Sequence, residues 1–208
     1  MGLKKQADVP VLHPVATRDY ARDVPGLIAQ MGDAEASVRR WAARDLGSHP
    51  AAATALGTRL VVETDSSVRS ALFSSLARLG GDEVVTALLP MLRSEHPELR
   101  NGAIEVLSGL PDAVAPHIDA LLRDADSDVR IFTVNLLGDL RHARVAAWLE
   151  HVLIQDPAVN VVGAALEVLA EVGTADSLPA LNVAARRFPG DAFISFAVDL
   201  AVERIGAP

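Results

Sequence analysis

Six histidines, at positions 13, 49, 96, 117, 142 and 151, are the side chains best suited to hold a metal, and Glu-His pairs stand at 95–96 and 150–151. A metal centre needs such groups to converge on one point. His96 falls where a helix begins and His151 inside a different helix, so the two pairs do not meet. His49 and His96 each precede a proline and mark turns. The absence of cysteine removes disulfides and thiolate metal sites. There is no glycine-rich phosphate loop, nucleophile elbow or HExxH pattern. The expectation is a non-enzymatic protein with no catalytic residue, metal or cofactor.

The other chemically suggestive set is a series of arginines, Arg39, Arg69, Arg100 and Arg130, about 30 residues apart. They read either as an anion-binding strip or as an inter-repeat ladder with Asp65, Asp126 and neighbouring acids. The ladder is favoured, because the pattern recurs whatever surrounds it and paired charge tolerates partial burial. Each arginine follows a Val or Leu that stands three residues after a capping residue: Glu35…Val38-Arg39, Asp65…Val68-Arg69, His96…Leu99-Arg100 and Asp126…Val129-Arg130. The leucine eight positions on returns as Leu46, Leu76, Leu107 and Leu137. Self-similarity at this period is the signature of a repeat array. Two weaker copies follow, around Val161 to Gly173 and Asp191 to Gly206, with Val162 and Ser195 in the arginine slot. In the fifth copy Asp156 reads as a cap displaced two residues upstream by a small insertion.

Asp65 and Asp126 are placed to cap free N–H groups of a first helical turn. Gly80, Gly173 and Gly206 follow the apolar pattern as glycine does after a helix end. Second amphipathic stretches lie between the phrases, at 83–92, 113–122 and 143–153, with Pro25, Pro116 and Pro179 near the starts of such stretches. Each unit is therefore helix A, a tight turn carrying an acid, and helix B. One hairpin cannot bury its apolar face alone, but a stack can. With half the residues apolar and only 4% aromatic, the composition suits closely packed helices rather than strands.

The phrase Asp-x-x-Val-Arg followed by an Ala- and Leu-rich helix resembles the short HEAT-like repeat of the bilin-lyase (PBS-lyase) class, over residues 23–206. The resemblance implies an all-α, right-handed α-solenoid of about six HEAT-like hairpins, with acid and arginine linking neighbouring units and helix B lining the concave face. It also implies an adaptor or partner-binding subunit in most cases, with catalytic relatives a minority. One of those, an iron-dependent hydroxylase, uses His-Glu pairs at equivalent positions of symmetric repeats; here the order is reversed.

If helix B lines that face, its outward positions are Arg40, Trp41 and Arg44, then Ser70, Ala71 and Ser74, then Asn101, Gly102 and Glu105, then Ile131, Phe132 and Asn135. The two divergent units add Gly163, Ala164, Glu167, Phe193, Phe196 and Leu200. Small residues would leave a trough between larger groups. Trp41 with its flanking arginines and the pair Ile131-Phe132 are the anchors expected for a protein partner, since Trp and Arg are enriched in binding hot spots. Phe193 and Phe196 read equally well as surface or as core.

The net charge of −8 opposes binding to phosphate backbones. The 14 acids against five arginines between 95 and 176, a balance of −9, concentrate that opposition in the middle of the chain. A nucleic-acid repair module is thus the weakest reading, and a bilin-lyase-like subunit handling a tetrapyrrole or its acceptor protein is the runner-up to an adaptor. No apolar run is long enough for a membrane span, and the Met-Gly-Leu-Lys-Lys start lacks the apolar stretch of a secretory signal. The expectation is a cytoplasmic monomer or weak homodimer. Residues 1–22 lie outside the repeat register, and their prolines disfavour helix; this arm is expected to be disordered or docked on the open edge of the first unit.

Overall fold

A computed structural model describes residues 19–206 and shows, over that range, twelve α-helices with short 3₁₀ segments and no strand. They form six hairpins stacked as an α-solenoid. The first pairs α1 (Val24–Gln30) with α2 (Ala36–Leu46), and the second pairs α3 (Ala53–Val62) with α4 (Ser66–Leu79). In the third, α5 (Asp82–Leu88) runs into a 3₁₀ segment (Leu89–Arg93) before α6 (Pro97–Ser108). The last three pair α7 (Pro111–Leu121) with α8 (Ser127–Asp139), α9 (Val145–Gln155) with α10 (Val159–Val172), and α11 (Leu178–Arg187) with α12 (Ala192–Gly206).

The recurring leucine explains the stack. Leu46, Leu76, Leu107 and Leu137, and Leu169 after them, are fully buried in one continuous core. Burying one such side chain contributes roughly 1.5–3 kcal/mol. The residue in that place in the last described helix, Val202, is exposed.

Local signals set the helix ends, with some departures from expectation. Asp65 and Asp126 cap α4 and α8 through their side chains. Gly80 and Gly81, at φ 61° and 82°, turn the chain between the second and third units in a conformation only glycine adopts without strain. Gly173 stops α10 in extended backbone, whereas Gly206 still belongs to α12. Pro25 and Pro179 stand in the first turns of α1 and α11, but Pro116 lies inside α7, which starts earlier at Pro111. The stretch 83–92 is not one α-helix: Pro90 has no N–H to continue the ladder, and the chain tightens to 3₁₀ from Leu89.

The last residues of the N-terminal arm, 19–22, rest on the first hairpin. The Tyr20 hydroxyl donates to Asp33 at 2.9 Å and Arg22 pairs with Asp45 at 3.3 Å. The expectation for residues 1–18 lies outside the described residues.

Candidate functional site

The four ladder arginines obey one rule. Each donates to the backbone carbonyl six residues upstream: Arg39 to Asp33, Arg69 to Glu63, Arg100 to Ser94 and Arg130 to Asp124, at 2.8–3.0 Å. The side chains of those same acceptor residues, and of Asp156, each take the N–H two positions on, which fixes the turn from helix A to helix B. Where that side chain is a carboxylate it can also face the arginine of the preceding unit. Arg39 grips Glu63 through Nε and Nη2 at 2.9 and 2.7 Å, and Arg130 grips Asp156 at 2.7 and 3.1 Å. Both pairs are buried.

This corrects the expected ladder. Asp65 and Asp126 form no ion pair among the described residues: their carboxylates face the first turns of α4 and α8, where they accept from Ser67 and Val68 and from Asp128. A carboxylate aimed at its own helix cannot reach back to the previous unit, and the residue two positions earlier does so instead. Asp156 is therefore no displaced cap. It is the equivalent of Glu63, and Ala158 stands in the cap position. The recurrence of Asp33, Glu63, Ser94, Asp124 and Asp156 at steps of 30 to 32 residues was in the sequence, masked by the more familiar capping pattern.

Electrostatics follow the geometry. Burial alone would raise the Glu63 carboxyl, but Arg39, the N–H of Asp65 and Arg59 outweigh it and hold the group at about 2. Hydrogen bonding to Glu63 and to Asp156 raises Arg39 and Arg130 respectively. Arg93 takes Asp124 and lowers its carboxyl. Val162 cannot make the arginine contact of the fifth unit. Arg187, from the sixth, makes it from outside by donating to the carbonyls of Asp156 and Leu153 at 2.6 Å.

The residues expected to meet a partner divide into three places. Ser70, Ser74, Asn101 and Glu105 line one groove of about 600 Å³ between α4 and α6. Asn101, Glu105 and Asn135, with Asp139, line another of about 370 Å³ between α6 and α8. The two share Asn101 and Glu105 and so form a continuous trough. Its floor holds Phe73, a residue outside the expected set. The Phe73 ring lies where a Cβ on Gly102 would fall, 2.5 Å away, so Gly102 is small to admit the ring rather than to leave a void. These helices approach less closely than α2 and α4, where Ser75 donates to the Ala43 carbonyl at 2.8 Å. The side chains of Asn101, Glu105 and Asn135 make no hydrogen bond to another described residue.

The other two places lie outside the trough. Ile131 packs against the core, and Phe132 is half-buried with the Arg100 guanidinium 4.2 Å above its ring. Trp41 is 50% exposed, with Arg44 at 5.6 Å from its ring and Arg40 one residue before it. The equivalent residues of later units are covered: Ala71 and Ala197 are buried, Gly102 lies under Phe73 and Phe132 under Arg100. Trp41 stands open on the first of the described units. In the last unit Phe193 packs edge-on where a Cβ on Gly163 would stand, yet stays half exposed, and Phe196 is exposed. His96 is the cap residue of α6 and His151 lies on α9. No three His, Asp or Glu side chains of the described residues come together as a metal-binding group. No described helix is long and apolar enough to cross a membrane.

Comparison with solved structures finds similar architectures at low identity. An engineered protein is 18% identical, with 89% of this chain and 99% of that one covered and a TM-score of 0.43. A designed armadillo repeat protein in complex with the peptide (KR)4 is 15% identical, covering 88% and 100%, with a TM-score of 0.43. The complex of CpcE and CpcF of phycocyanin lyase from Nostoc sp. PCC7120 is 17% identical, covering 97% and 100%, with a TM-score of 0.38. No curated protein matches the chain significantly. Among protein families, HEAT repeats match residues 24–108 and 114–191, most of the chain. Six stacked hairpins in one register, held by an arginine that returns in four of them, belong to a protein of the HEAT repeat family.

Proposed function

We propose that this chain is a non-enzymatic adaptor that holds a segment of a partner protein in the trough between α4, α6 and α8. The observation that carries the reading is the set Asn101, Glu105 and Asn135: polar side chains that line a groove and have no partner among the described residues. The packing of the stack does not use them, and an extended segment offers the main-chain donors and acceptors that such groups take up. Phe73 supplies apolar contact beneath them. Trp41 and Arg44, on the adjacent first unit with Arg40 beside them, form a separate surface.

Site-specific photocrosslinking tests the reading. A photoreactive residue at position 101 is expected to capture one specific protein, and the same residue at Ala147 on α9 none. Glu105→Arg is expected to abolish the capture at unchanged circular dichroism, while Trp41→Ala leaves it intact. Equal labelling from positions 101 and 147, or capture indifferent to Glu105→Arg, refutes a trough site.

A further inference from the structure

The ladder has a gap. After Arg39 the next turn supplies Glu63, and after Arg130 it supplies Asp156, each as a buried two-point carboxylate. After Arg69 the next turn supplies Ser94, whose hydroxyl is engaged with the N–H of His96. Arg69 instead turns Nη2 to the Glu63 carbonyl and Nη1 to Glu98, a residue exposed to solvent; its buried Nε has no acceptor, and neither has that of Arg100, whose next turn supplies Asp124 already paired with Arg93.

A groove of about 540 Å³ opens at this point, lined by Val61, Val62, Pro97 and Leu99 on its apolar side and by Arg69, Thr64, His96 and the carboxylate residues Glu63 and Glu98 on its polar side. Val61 and Val62, at the end of α3, are 64% and 62% exposed. A second groove, of about 450 Å³, shares Val61 and Leu99 and continues the apolar surface over Gly57 and Met91. The corresponding groove beside Arg130 measures about 290 Å³ and contains Asp156. Of these two grooves, the one beside Arg69 is the larger and is faced with valine.

We propose that the gap between the second and third units is a docking site for an extended segment of a partner protein, which brings an aspartate or glutamate side chain to Arg69 and an aliphatic side chain onto Val61 and Val62. The ligand chemistry is read from the chain itself, which places a carboxylate in this position at two other junctions. Glu98 is the exposed stand-in that the incoming carboxylate displaces. The site lies on the turn side of the stack and does not depend on the trough.

The test is a titration of the full chain, labelled at arginine Nε and valine methyls, with the peptide acetyl-Ala-Val-Asp-Val-Ala-amide and its Asn counterpart. The Asp peptide is expected to shift the Val61, Val62 and Arg69 signals saturably, and the Asn peptide to bind about tenfold more weakly or less, as loss of a charge-assisted fork requires. Ser94→Asp supplies the missing carboxylate from within, so it is expected to raise the thermal midpoint and abolish the shifts. Glu98→Gln is expected to tighten binding, and Glu105→Arg, in the trough, to leave it unchanged. Equal binding of the Asn peptide, no shift at Arg69, or undiminished binding by folded Ser94→Asp overturns the proposal. Should Ser94→Asp not fold, Arg69→Gln decides: binding that survives it overturns the proposal, and binding that disappears supports it.

Discussion

The junction after the first unit and the junction after the second are built from the same parts and finished differently. At the first, Arg39 and Arg59 converge on Glu63, which also accepts the N–H groups of Thr64 and Asp65, so the carboxylate is saturated and fully buried. At the second, Ser94 keeps the turn contact but supplies no charge, and Arg69 is left with an exposed partner. The contrast separates two duties of one position. Fixing the turn needs only an acceptor oxygen, which serine has, whereas joining two units electrostatically needs a carboxylate. A repeat protein can therefore keep its register through a junction at which it gives up the ion pair.

The largest expected effect breaks the saturated junction. Glu63→Ala leaves Arg39 buried without its counter-charge and should cost about 3–5 kcal/mol in denaturant unfolding. A loss below about 1 kcal/mol would show that the buried pair is dispensable. Acid sharpens the same comparison. Glu63 titrates at about 2 in the folded chain against an ordinary 4.5, so the unfolded state binds more protons between those values. Its contribution is complete above 4.5 and is lost as pH falls through 2. Glu63→Gln should flatten that part of the acid limb, and an unchanged slope would contradict the assignment. The smallest effect is at the open junction: Arg69→Ala should cost about 1 kcal/mol or less, because its ion pair faces solvent. A cost equal to that of Glu63→Ala would mean the two junctions are equivalent after all.

The two ends differ as well. At the N-terminal end Tyr20 occupies Asp33, the carboxylate that a preceding unit's arginine would take. At the C-terminal end Val162 and Ser195 stand in place of arginine and Pro189 in place of the turn acid. The loss of arginine in the fifth and sixth units accompanies the end of the ladder, and Arg187 takes over the one backbone contact still required.

Repetition makes a fold legible. The period, the anchors Val68, Leu99 and Val129 and the buried leucines followed from spacing alone, because each unit solves the same burial problem and the solution recurs every 30 or so residues. The caps Asp65 and Asp126 were legible for the same reason. What spacing could not convey was direction. Asp65 and Glu63 are two residues apart and both acidic, yet one faces its own helix and the other the neighbouring unit. Phe132 and Trp41 hold equivalent places, yet one lies under an arginine and the other stands open.

The sequence by itself determined that the chain is a stack of helical hairpins, since periodicity and composition are properties of residues in order. The tertiary structure alone decided which acids complete Arg39 and Arg130, that Phe73 rather than empty space underlies Gly102, and that Ser94 supplies no carboxylate to Arg69. Those facts depend on contacts between residues about 24 to 30 positions apart, whose side-chain directions are set by the packing of one unit on the next.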